Sequence, residues 1–205
     1  MRVVLPDLAY ELASGHAIIC GIDEAGRGPW AGPVCAAAVI LDRTRIPAGL
    51  NDSKKLSEYR RERLYPEIMT VADVGVGLVS AAEIDDINIL QATYLAMSRA
   101  VALLKTKPTL ALIDGNRGPK LFCATQMIVG GDAKSLSIAA ASIIAKVTRD
   151  RLMVELDAIY PVYGFARHKG YGTAAHAAAL AQHGPCTEHR KSFAPIRALL
   201  NRPGR

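Results

Sequence analysis

The stretch HAIICGIDEAGRGPWAG, residues 16–32, decides how the rest of the chain is read. Its first half, HAIICGID, is a short apolar run of the kind that forms a buried strand. An acidic pair, Asp23-Glu24, closes that run, and the turn Gly26-Arg27-Gly28 follows within two residues. Carboxylates at the end of a buried strand, beside glycines that let a ligand approach the backbone, mark a place where chemistry can be done. Residues 26–31 also satisfy the GxGxxG/A dinucleotide fingerprint literally. The context excludes it, because Asp23 and Glu24 would stand where a pyrophosphate must approach, and GPVCAAAVIL reads as a strand, not as a phosphate-binding helix. There is no Walker A motif.

Working outward, VCAAAVIL (34–41) predicts a second strand, VADVGVGLVS (71–80) a third, TLALIDG (109–115) a fourth and LFCATQMIV (121–129) a fifth. A short helix over Glu58–Tyr65 is expected, closed by Pro66. Ile87, Leu90, Tyr94, Met97, Val101 and Leu104 recur at steps of three and four and predict a helix, with Asp85 and Asp86 at its N-terminal end. An alanine-rich run from Ser135 to about Tyr160 predicts a long helix stopped by Pro161. The order implies an α/β fold: a central five-stranded sheet flanked by helices, with a helical C-terminal part packed on one end.

At 205 residues, half of them hydrophobic and 21% charged, the chain is long enough for one well-packed domain. A net charge of +6 favours an acidic partner such as nucleic acid. Cys20, Cys35, Cys123 and Cys186 show no zinc spacing and read as free thiols in a reducing compartment. No window approaches a membrane span and the N-terminus lacks a signal-peptide pattern, so a cytoplasmic protein is expected.

Asp23 and Asp114 each end an apolar run, and Asp132 follows another. Taken singly, an aspartate there is a turn residue or a helix cap; Asp132, just ahead of SLSIAAAS, is well placed to be one. Several placed alike point to a common site, provided the strands of Asp23 and Asp114 lie parallel and adjacent. Carboxylates gathered there would repel one another, and hard divalent cations such as Mg2+ or Mn2+ relieve that repulsion. Two such ions can serve phosphodiester hydrolysis.

The blocks GIDEAGRGPWAGPVCAAAVIL, DSKKLS, INILQAT, LIDGN, GDAKSLSIAAASIIAKVTRDRLM, YGFARHKGYGT and HRKSFAP, in that order, resemble bacterial ribonuclease HII from about residue 17 to 197. The resemblance implies an RNase H-like fold and a single catalytic domain over 1–205, with about 161–205 as a small helical substrate-binding part. It implies hydrolysis of RNA paired to DNA, and incision 5′ of single ribonucleotides embedded in duplex DNA to leave 3′-hydroxyl and 5′-phosphate ends, in primer removal or ribonucleotide repair. It implies that Asp23, Glu24, Asp114 and Asp132 are the catalytic metal-binding acids, using two Mg2+ or Mn2+ ions. Glu24 is supplied by the resemblance alone, since neighbouring strand residues face opposite sides unless the strand ends at Asp23. Gly26, Arg27 and Gly28 would read the ribose 2′-hydroxyl, and Tyr171 would stack on the deoxyribose at the RNA-to-DNA junction. Trp30 departs from the aliphatic residue expected there and would alter packing under the turn.

Asn51, Ser53, Lys54 and the neighbouring Lys55 form a polar loop that either holds phosphates or is a solvated charge run. Lys146 and Arg149, three apart on one helix, share a face that touches nucleic acid or is simply wet. His168 and Lys169 join the substrate-binding candidates beside Tyr171, while the histidines are too irregularly spaced for a helical metal site. Two other readings stay open: a non-catalytic hybrid-binding module, which the presence of all four acids opposes, and the sister ribonuclease HIII, for which a sizeable N-terminal domain before the acidic motif is expected. A monomer is expected.

Overall fold

A computed structural model describes the chain from residue 5 to residue 201. Its elements run α1 (Ala9–Ala13), β1 (Ile19–Ala25), β2 (Val34–Leu41), α2 (Glu58–Val71), β3 (Ala72–Val79), α3 (Ala81–Ala102), β4 (Leu110–Asp114) and β5 (Ala124–Ile128). A 3-10 turn (Gly131–Ala133) then leads into α4 (Leu136–Ile159), α5 (Phe165–His168), α6 (Ala174–His183) and α7 (Ala194–Leu200). The strands form one mixed sheet in the order β3-β2-β1-β4-β5. The first three pair antiparallel, whereas β1, β4 and β5 run parallel. The parallel strand β4 cannot follow β3 by a tight turn; α3 carries the chain from β3, at one edge of the sheet, past β2 and β1 to β4.

Both faces of the sheet are covered. Cys35, Ala37 and Val39 of β2 face α2 and the first half of α4, whose Ile143 and Ile144 are fully buried. Val34, Ala36 and Ala38 face α3 on the other side, against Ala92, Ala96 and Met97. Burial on both faces is why VCAAAVIL shows no polar alternation. Small residues bring the layers close: a Cβ on Gly21 would sit 2.1 Å from the Ser137 carbonyl carbon, so the backbones of β1 and α4 nearly touch. From Ser137 to Ala145 α4 is buried on all sides, and only beyond that does it show a wet face.

Two helix expectations are corrected. α2 does not stop at Pro66 but continues to Val71 with the proline inside it. The proline removes one backbone donor, but Leu64 and Ile68, buried on either side of it, hold the helix to the core. α3 begins at Ala81, earlier than expected, with a Ser80–Glu83 capping box, and kinks at Asn88, φ 65°. The Asn88 Oδ1 accepts from the amides of Leu90 and Gln91, restarting the helix where the predicted apolar stripe begins. Asp85, expected at the helix N-terminus, instead accepts from the backbone amides of Lys191 and Ser192 and ties the C-terminal part to α3.

Among the described residues no helix is long and apolar enough to cross a membrane. The four cysteines are free.

Candidate active site and nucleic-acid cleft

The acidic site is built by unequal strand lengths. The parallel pairing of β1 with β4 ends at Ile22↔Ile113, and the next residues along each strand are Asp23 and Asp114. β1 does not end at Asp23, as the facing argument required; it continues to Ala25, with Glu24 paired to Ala36 of β2. Glu24 nevertheless lines the cleft with Asp23, and with Asp114 it lines a depression beside it. β1 stays paired with β2 there, so alternation still holds at Glu24, and what it shares with Asp23 is the lining of the cleft at the end of the strand.

Asp23, Asp114 and Asp132 each bring a carboxylate oxygen within 4.8 Å of the others. Asp23 is 5% and Asp132 6% exposed. The Gly131 amide donates to Asp114 Oδ1 at 2.6 Å, joining the end of β4 to the turn that carries Asp132. Asp132 is not the cap of α4; Ser135 is, accepting from the Ile138 amide. The aspartate is thus left for the cluster. Glu24 lies outside this trio, with Oε1 3.3 Å from Arg27 Nη1.

Burial, and then the neighbouring carboxylates Glu24 and Asp114, push the Asp23 carboxyl well above its usual range. Asp132 is pushed up to about 6 by burial, then by Asp114 and Asp52. For Glu24 burial raises the pKa and outweighs the opposing Arg27. Burial alone would lower the Lys54 ammonium, but Asp23, Asp132, Asp52 and Asp114 outweigh it and hold it up. Three crowded carboxylates, two of them buried, with oxygen donors only suit a hard divalent cation, not a soft one.

Beside the acids lies a cleft of about 380 Å³ lined by Asp23, Glu24, Gly26, Arg27, Gly28, Ser53, Lys54, Lys146, Arg149 and Tyr171. Residues 148 positions apart in sequence therefore share one surface, and Tyr171 is 47% exposed on it. Three candidates lie off the cleft lining. Asn51 turns its Oδ1 to the Asp52 amide. His168 Nε2 meets the Tyr163 carbonyl, and its Nδ1 accepts from the Gly170 amide. Lys169 Nζ donates to the Ala166 carbonyl. Ser53 is buried, its amide donating to Ser142 Oγ.

Lys146 and Arg149 both line the cleft, as a shared face of α4 requires, but only one of them is wet. Lys146 is partly exposed and paired with Asp150 at 2.7 Å. Arg149 is 1% exposed and donates to the carbonyls of Pro33, Lys169 and Ala31. It builds the wall of the cleft.

Sequence reasoning missed its companion, Arg190, which is fully buried and donates to the carbonyls of Gly26, Arg27 and Gly32. Burial, then Arg149, pull its pKa down to about 9. Flanked by His189 and Lys191 it looks like part of a solvated basic run, and nothing local signals otherwise. The two arginines clamp the Gly26–Pro33 turn between the 169–171 and 188–190 segments. Trp30 completes the join, its amide donating to the Gly170 carbonyl and its ring lying where a Cβ on Gly172 would be.

A mixed sheet in this order, with carboxylates gathered where its parallel strands end, is the architecture of an RNase H-like enzyme. The ribonuclease H2 from Pyrococcus horikoshii OT3 superposes with a TM-score of 0.74 at 28% identity, over 89% of this chain and 97% of that one. The family model for ribonuclease HII matches residues 20–196. A ribonuclease HII of Parvibaculum lavamentivorans is 57% identical over 98% of this chain and 76% of its own length. One of Burkholderia mallei is 60% identical over 90% and 86%. The chain belongs to the ribonuclease HII family. Its class of activity is that of a ribonuclease H, divalent-metal dependent and acting on RNA–DNA hybrids.

Proposed function

We propose that this chain is an endoribonuclease that cuts the RNA strand of RNA–DNA hybrids and incises duplex DNA on the 5′ side of a single embedded ribonucleotide, leaving 3′-hydroxyl and 5′-phosphate ends. The observation that carries the proposal is the continuity of the acidic cluster with the cleft bearing Gly26, Arg27, Gly28 and Tyr171. In this reading Asp23, Asp114 and Asp132, with Glu24 beside them, would hold Mg2+ or Mn2+. Two ions bound there would supply Lewis-acid activation of water and stabilisation of the leaving oxygen.

The rest falls to the chain's own residues. The Gly26–Gly28 backbone, fixed by Arg190, lies beside the acids and supports reading of the 2′-hydroxyl of the neighbouring ribose. Lys54, drawn toward the carboxylates, suits contact with a strand phosphate. The Tyr171 ring, near Gly28 on the far side of the cleft, suits stacking on the sugar at the junction. Chain 161–205 would serve as the substrate-binding part of a single domain, anchored by Tyr163, Phe165, Leu180 and Ile196 packing against Ala31 and Met153.

The test is incubation with a DNA duplex containing one ribonucleotide, with Mg2+, Mn2+ or chelator. Metal-dependent incision at the 5′ side, lost in Asp114→Asn and selectively weakened in Tyr171→Ala, is the expected result. Cutting of long hybrids alone would overturn the embedded-ribonucleotide reading. Binding without any cutting would overturn the catalytic one.

A further inference from the structure

Behind Tyr171 lies a chain of buried side chains that the proposed chemistry does not use. His176, on α6, is fully buried, and its Nδ1 is 2.9 Å from the Tyr171 carbonyl oxygen. That oxygen can only accept, so Nδ1 carries the proton. His176 Nε2 lies 3.0 Å from His189 Nε2. At the far end the Cys186 amide donates to His189 Nδ1 at 3.0 Å. An amide can only donate, so the proton of neutral His189 sits on Nε2 and points at His176. Every donor in the series then runs one way, from the Cys186 amide through two imidazoles to the Tyr171 carbonyl.

The surroundings hold both rings in that state. His168 stacks on His176 with centroids 4.5 Å apart and 15° between planes. Phe165 meets His176 edge-on, and the Trp30 ring lies tilted against it with centroids 5.6 Å apart. Burial, and then His176, pull His189 down to about 4, and burial lowers His176 as well, so both are neutral near pH 7.

Tyr171 itself sits between two glycines, with Gly170 at φ +80°, on a segment with little intrinsic conformational preference. Its ring is half exposed, so the direction of the ring is inherited from the backbone. That backbone is held by three bonds: the Tyr171 amide to the His168 carbonyl, and the Thr173 amide and His176 Nδ1 to the Tyr171 carbonyl.

We infer that His176 is a positioning residue for Tyr171, oriented by His189, and that this pair of imidazoles sets how the tyrosine ring is presented to the nucleic-acid strand in the cleft. The inference rests on the proposed junction role of Tyr171. A histidine that merely filled the core would tolerate any replacement that kept the volume and the fold. A positioning histidine requires a donor at the Nδ1 position and nowhere else.

The amide nitrogen of asparagine falls near Nδ1 of histidine, and that of glutamine near Nε2. The experiment compares His176→Asn, His176→Gln and Tyr171→Ala, and the double variant His176→Gln/Tyr171→Ala, all on the full chain. kcat/KM is read on a duplex with one ribonucleotide and on a uniform RNA–DNA hybrid, with thermal midpoints alongside. His176→Gln is expected to lose roughly tenfold or more on the single-ribonucleotide duplex, with a smaller loss on the hybrid. His176→Asn should recover most of that loss at a similar thermal midpoint, and His176→Gln should add nothing in the Tyr171→Ala background. Equal losses in Asn and Gln variants, or equal losses on both substrates, would overturn the inference and leave a packing residue. A selective defect in Tyr171→Ala with none in His176→Gln would overturn it while sparing the junction reading. An unaffected Tyr171→Ala would overturn both.

Discussion

Asp132 shows how much a single residue can owe to its neighbours. In sequence it is an ordinary cap candidate; in the fold Ser135 takes that task and Asp132 joins Asp23 and Asp114. The folded chain then carries crowded, desolvated carboxylates whose repulsion a divalent cation would relieve. Asp132→Asn removes one of those charges while keeping the shape of the side chain. In chelator near neutral pH the variant should unfold at a higher temperature than the wild type, by an amount equivalent to about 1 kcal/mol. Added Mn2+ should raise the wild-type midpoint and narrow or reverse the gap. Differential scanning calorimetry with and without metal reads both effects, and an Asn variant no more stable in chelator would remove the repulsion argument.

Among the elements, β1 and α4 carry most of the site and touch through glycine. β1 delivers Asp23 and Glu24, and α4 follows directly on the turn of Asp132. Their approach leaves no room for a methyl group at Gly21, where a Cβ would meet backbone atoms of Ser137 and Ile138 that cannot swing aside. Gly21→Ala should therefore cost about 2–3 kcal/mol in urea denaturation and lower activity by moving Asp23 relative to Asp132. A variant with wild-type stability would mean that the two backbones part more easily than their packing implies. The same close packing explains which elements were legible. β1, β2 and the first half of α4 are strongly apolar segments whose pattern survives any tertiary context, whereas β5 is short, with Ala124, Thr125 and Gln126 exposed. The end of α2 at Pro66 was misread because Leu64 and Ile68 bury the helix across the proline. The start of α3 was misplaced because Asn88 divides one helix into two.

For the molecule as a whole, the cleft depends on two buried arginines that join the turn after β1 to the C-terminal part. Arg190 donates to the carbonyls of Gly26, Arg27 and Gly32, and among the described residues no carboxylate is bonded to its guanidinium. Arg190→Met removes the charge but leaves those carbonyls without their donor, at a cost of about 2–4 kcal/mol. The loss should appear in urea denaturation together with weaker binding of RNA–DNA hybrid, because the Gly26–Gly28 backbone loses its clamp. Arg190→Lys, with a point charge in place of a planar fork, should recover only part of either. Stability and binding unchanged in Arg190→Met would show that the turn holds itself.

The sequence by itself determined the presence of the five strands and the main helices, and three aspartates that close or follow apolar runs, because each depends on local periodicity and on where such a run stops. Resemblance supplied Glu24, which a strict strand alternation would have set aside. Only the tertiary structure decided that β1 runs on past its pairing with β4 and that Glu24 lines the cleft with Asp23. It also decided that Arg149 and Arg190 are buried clamps and that His176 reaches the Tyr171 carbonyl. A charge or an imidazole carries no local signature of burial. Its place is fixed by partners far away in the chain, and those partners here are backbone carbonyls and amides, which every residue possesses and no sequence pattern marks.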